Sequence, residues 1–157
     1  MPLDKKQLFT ALKSDIENIL SSQQTSKEYL NQVCILLQNR VPYYDWVGFY
    51  FGQIETQKLY LKAFAGAPTD HVQIPFGQGI CGQVAVSNQN FMVPDVQAQD
   101  NYIACSLDVK SEIVVPLFKN GQNIGQIDID SHTKDPFSEA DIVFLEWLNK
   151  KIAGILT

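Results

Sequence analysis

The stretch "IPFGQGICGQV", Ile74 to Val84, can be read in two ways, and the choice between them sets the fold. Gly77, Gly79 and Gly82 carry the G-x-G-x-x-G spacing of a dinucleotide phosphate cradle. Cys81 makes the same stretch a glycine-lined seat for a thiol. The cradle needs a continuous apolar strand before the glycines, a βαβ crossover and an acid about twenty residues on. Asp95, 18 residues after Gly77, nearly meets the last condition. The first fails, because "HVQIPF" puts His71, Gln73 and Pro75 where a buried parallel strand would be apolar. Nor does the rest of the chain repeat βα units.

Outward from that stretch, the elements alternate differently. Leu8, Phe9, Leu12, Ile16, Ile19 and Leu20 form one face of a first helix. Thr25 and Glu28 form a capping-box pattern that opens a second, ended by Val41–Pro42. In "DWVGFYFG", Val47, Phe49 and Phe51 alternate with Trp46, Gly48 and Tyr50, the period of a strand. "QKLYLKAFAG" reads as its neighbour, and "HVQIPF" as a short extended piece. A short helix is expected from Gly79–Cys81 to about Asn88, then a brief strand "FMVP" and a long loop over "VQAQDNYIACSLDV". "SEIVVPLF" and "QNIGQIDID" flank Asn120–Gly121 as a hairpin. Ser138 and Asp141 cap a final helix, with Phe137 and Ile142 placed as a hydrophobic staple. The expected fold is α+β, an antiparallel central sheet with the N- and C-terminal helices packed on one face. One domain is expected over 1–157: N-terminal helices over 1–41, sheet and site loops over 45–131, and a C-terminal helix over 138–156.

Composition narrows the function. A chain of 157 residues, 45% apolar and 18% charged, can bury a substantial core. Its net charge of −5 and pI near 4.9 argue against a nucleic-acid footprint or an anionic membrane surface. The charged N-terminus has no apolar run long enough for a signal peptide or membrane span, so the expected location is the cytoplasm. Three cysteines, Cys34, Cys81 and Cys105, speak against a structural disulfide framework there.

Two features carry chemistry. At the start of a helix, Cys81 would feel the dipole and free N–H groups, which lower a thiol pKa; the alternative is a small buried hydrophobe. In "IGQIDIDSH", Asp128 and Asp130 share one strand face while Ile127 and Ile129 share the other. A two-residue turn at Asn120–Gly121 would pair Lys119 with Gln122 and set Asp128 beside Ile113. A three-residue loop would pair Phe118 with Gln122, set Glu112 opposite Asp128, and gather Ile113, Val115 and Leu117 with Ile127 and Ile129. Face consistency favours the three-residue loop. Three carboxylates would then form one patch beneath Trp46 and Tyr50, raising one another's pKa. The alternative is a solvent-facing side of the sheet, and for Trp46 and Tyr50 alone ordinary core packing.

Together "WVGFY", "IPFGQGICG", "YIACSLDVKSEIVVPLF" and "IGQIDIDS" resemble the free methionine-(R)-sulfoxide reductases, a family built on a single GAF domain. The match runs from about Trp46 to Phe137, with Cys81 and Cys105 spaced 24 residues apart as in the family. The resemblance implies reduction of free methionine-(R)-sulfoxide, with a thioredoxin-like reductant, no cofactor and a homodimeric state. It implies Cys105 as nucleophile and Cys81 as resolving partner, with a sulfenic acid and an intramolecular disulfide between them. Glu112, Asp128 and Asp130 match the carboxylates that hold substrate, and Trp46 and Tyr50 the aromatic wall. One departure stands out: many members have a third cysteine where this chain has His71, and Cys34 does not replace it. The rival readings are a GAF module that binds a small ligand without chemistry, and a metal site using Cys81, Cys105, His71 or His132. No close C-x-x-C pair supports the metal reading.

Overall fold

The structure, a computed structural model, describes residues 3–99 and 108–156. Helices α1 (Lys5–Ser21) and α2 (Ser26–Arg40) precede strands β1 (Trp46–Gln53), β2 (Lys58–Ala65) and β3 (Gln73–Pro75). Helix α3 (Gly79–Ser87), strand β4 (Phe91–Val93) and a 3₁₀ turn at Val96–Ala98 follow. The chain ends with β5 (Ser111–Lys119), β6 (Gln122–Ser131) and α4 (Glu139–Ile155). The six strands lie in the order β3-β2-β1-β6-β5-β4, every pairing antiparallel. This is the α+β architecture expected, and an antiparallel sheet leaves no βαβ crossover for a dinucleotide. Among the described residues, no helix is long and apolar enough to cross a membrane.

Period-two patterning divides the sheet into two working faces. Val47, Phe49, Ile113, Val115, Leu117, Ile127 and Ile129 turn toward α1, α2 and α4 and form the main core with Leu12, Ile16, Leu37, Phe144 and Leu148. Cys34, fully buried there, is packing, and burial pushes its thiol pKa up. Trp46, Tyr50, Val114 and Val84 belong to a second, smaller cluster under α3. The sheet is thus covered on both sides, which removes the solvent-facing alternative for its polar face.

Local chemistry fixes the ends. The Thr25–Glu28 capping box is complete, and Ser138 and Asp141 form another at α4. Asp141 does more than cap. Its carboxylate accepts from Lys5 Nζ at 2.7 Å, Tyr43 hydroxyl at 2.7 Å, Tyr44 hydroxyl at 2.8 Å and the Ser138 amide at 2.9 Å. It ties α1, the approach to β1 and α4 together.

The hairpin corrects the expected register. Asn120 (φ 53°) and Gly121 (φ 78°) form the two-residue turn, and Lys119 pairs with Gln122. Ile124 is then extra in β6: Phe118 opposes Asn123, but Leu117 opposes Gly125. The Asn123 side-chain oxygen takes the Gly125 amide at 3.2 Å, while its Nδ2 donates to Val84 carbonyl and Asn88 on α3. The bulge restores the face that a three-residue loop was invoked to give. Direct partners differ, however: Glu112 stands opposite Asp130, and Asp128 opposite Val114.

Candidate active site

The polar face is assembled by register alone. On β1, Trp46 lies opposite Asp130, Gly48 opposite Asp128 and Tyr50 opposite Gln126, so aromatic and acidic residues share one surface. The Trp46 ring folds back over Gly48; a Cβ at Gly48 would collide with it. Trp46 Nε1 donates to Ala67 carbonyl at 3.0 Å and the Tyr50 hydroxyl to His71 carbonyl at 2.7 Å. The wall therefore anchors the connection between β2 and β3.

Glycines bring Cys81 onto that surface. Gly77 (φ 88°) and Gly79 (φ 65°) take left-handed conformations leading into α3. Gly82 packs so tightly that a Cβ would stand 2.6 Å from Pro75 carbonyl oxygen. Cys81, in the first turn of α3, points inward at 4% exposure. Its sulfur lies 3.9 Å from Glu112 Oε2, and one donor atom from each of Cys81, Glu112 and Asp128 falls within 4.8 Å of the others. The glycine stretch is a seat for a thiol.

The electrostatics invert one expectation. Burial pushes the Cys81 thiol well above its usual value, and the negative charges of Asp128, Glu112 and Asp130 add to that. The helix dipole is outweighed. A buried thiol facing three carboxyls keeps its proton. Burial also raises Asp128, opposed by hydrogen bonds from Glu112 and Cys81. Glu112, Asp128 and Asp130 are 4%, 1% and 1% exposed. Asp128 Oδ1 has no hydrogen-bond partner among the described residues.

Two openings border this surface. A void of about 10 Å³ is lined by Cys81, Glu112, Asp128 and His71 among others. A pocket of about 360 Å³ is lined by Trp46, Asp130, Asp108, Asp45, His132 and the 67–69 segment. Its size is ordinary for a small-molecule site. Neither Asp45 nor Asp108 was singled out from sequence; each lies outside the alternating pattern that marked Asp128 and Asp130. Of the loop expected over Val96–Val109, the start forms the 3₁₀ turn at Val96–Ala98, and the Cys105 expectation lies within residues 100–107, outside the described residues.

The GAF-domain family profile matches residues 21–156. Free methionine-R-sulfoxide reductase of Escherichia coli is 32% identical over 98% of this chain and 92% of its own length. The structure of free methionine-R-sulfoxide reductase from Neisseria meningitidis in complex with its substrate superposes with a TM-score of 0.91. It is 34% identical, covering 98% of this chain and 91% of that one. The chain belongs to the free methionine-(R)-sulfoxide reductase family of GAF domains. Bacillus subtilis protein YtsP is also similar, 34% identical over 96% of this chain and 94% of its own.

Proposed function

We propose that this chain, acting as a single domain, is an enzyme that reduces free methionine-(R)-sulfoxide to methionine. The observation that carries the reading is a buried thiol set among three buried carboxyls on one sheet face, in a chain similar over nearly its whole length to reductases of that substrate. The substrate ammonium binds ionised carboxylates on that face, and its methyl end packs on Trp46. A peptide nitrogen supplies no such charge, so free amino acid is preferred. Asp108, three residues after Cys105 in the sequence, borders the larger pocket.

Cys105 thiolate attacks the sulfoxide sulfur while Asp128, whose burial favours the acid form, protonates the oxygen. Methionine leaves, and Cys105 carries a sulfenic acid. Asp128 is now a carboxylate in contact with Cys81 and takes the Cys81 proton. The Cys81 thiolate attacks the Cys105 sulfur and the S–O bond breaks. Asp128 returns the proton to the departing hydroxide so that it leaves as water, and a disulfide remains. A thioredoxin-like dithiol reopens it by exchange. The high pKa of Cys81 suits the second role: it is inert until its acidic neighbour has given up a proton.

The test is turnover with resolved R and S sulfoxides, free and peptide-bound, under a thiol reductant. Turnover of free R sulfoxide alone is expected. No turnover of it, with tight binding retained, would point to a ligand-binding regulatory GAF module instead.

A further inference from the structure

The sequence offered no close pair of metal-ligating cysteines, yet folding brings a mixed donor set together from three separate elements. Cys81 comes from α3, Glu112 from β5 and Asp128 from β6. Their donor atoms lie within 4.8 Å of one another, and Cys81 Sγ and Glu112 Oε2 are 3.9 Å apart. At zinc bond lengths of about 2.3 Å to sulfur and 2.1 Å to oxygen, tetrahedral neighbours sit about 3.6 Å apart. The thiol and Glu112 need to close by only a few tenths of an ångström. The void between these groups, about 10 Å³, is on the scale of a single water or ion and far too small for an amino acid.

A second observation points the same way. Asp128 is 1% exposed, lines this void, and has an Oδ1 without a hydrogen-bond partner among the described residues. A buried carboxylate oxygen left without a donor costs free energy that a cation recovers. His71, which borders the same void, is the candidate for a fourth ligand.

We propose that Cys81, Glu112 and Asp128 form a binding site for a thiophilic divalent cation of the zinc class, separate from any cofactor requirement. The cation replaces the thiol proton and the proton held by Asp128, both of which are released, and holds Cys81 as a metal-bound thiolate. Soft sulfur with two hard oxygens selects zinc or cobalt over magnesium or calcium. On the proposed reaction, which this consequence rests on, the bound ion withholds Cys81 from disulfide closure and Asp128 from proton transfer. The ion is then a reversible inhibitor, and cellular zinc a brake on the enzyme.

The probe is cobalt(II), added to the full chain with thiols kept reduced by a phosphine and followed by its thiolate-to-metal charge-transfer absorption. The expected result is a saturable band at one cobalt per chain, displaced by zinc. It should persist in Cys34→Ser and Cys105→Ser, disappear in Cys81→Ser, and weaken at least roughly tenfold in affinity in Asp128→Asn. Near-ultraviolet circular dichroism establishes that each variant is folded, and Asp128→Asn carries the test if Cys81→Ser is not. Absence of the band in the unaltered chain overturns the inference. So does a band unchanged in Cys81→Ser or Asp128→Asn, or one lost in Cys105→Ser. Because the readout is metal binding, it is independent of whether the turnover assay succeeds.

Discussion

Asp128 sits between stability and chemistry. Its carboxyl is buried at 1% exposure with its folded-state pKa raised, so the native state binds its proton more tightly than the unfolded chain does. Stability from this group is fully present below the ordinary carboxylate range and is lost as pH rises through the folded value. Asp128→Asn keeps the shape and removes the ionisation. It should raise the melting temperature at neutral pH by roughly 2–4 °C, the shift that about 1 kcal/mol produces in a chain of this size. The gain should shrink on acidification, while turnover falls sharply. A melting-temperature series against pH checks both signs, and a gain that grows toward acid would contradict them. Gly48 makes a different demand: Gly48→Ala drives a methyl into the Trp46 ring, at a cost of about 1–3 kcal/mol. Substrate affinity should fall with it, read as a raised KM at little-changed kcat.

At the scale of elements, caps and faces were legible and the register was not. Thr25–Glu28 and Ser138–Asp141 announced two helix starts because capping is a local interaction written in adjacent residues. Asn120–Gly121 marked the hairpin for the same reason, but not its loop length: a three-residue loop is expected from the faces, and the two-residue turn is what forms. What escaped was the bulge at Ile124. Its sign was present, since Ile124 is out of phase with Ile127 and Ile129, but a change of loop length explains the same phase slip. Only the contacts of Asn123 with Gly125 and α3 decide between them. The second role of Asp141 was also hidden, because Lys5, Tyr43 and Tyr44 come from distant segments. Asp141→Ala should cost about 2–4 kcal/mol, more than a cap alone, by stranding these donors. Denaturant unfolding measures it, and a loss under about 1 kcal/mol would reduce Asp141 to an ordinary cap.

Across the whole molecule, the antiparallel order puts the main core and the candidate site on opposite faces of one sheet. Helices α1, α2 and α4 bury one face in the main core, and the other carries Trp46, Tyr50, Glu112, Asp128 and Asp130 with Cys81 above. Alternation along β1 and β6 makes this division readable in the residues themselves, because a period of two assigns faces without knowledge of partners. Of the two readings of Cys81, the buried thiol holds and the dipole-lowered thiolate does not, because a dipole is a local property of a helix start. Burial and three facing carboxyls are properties of the assembled fold. The direct test of the proposed chemistry is to expose the reduced protein to free methionine-(R)-sulfoxide without reductant and map its disulfides by mass spectrometry. A Cys81–Cys105 bond, formed with one methionine released per chain, is predicted. Methionine release with Cys81 and Cys105 never joined would contradict it.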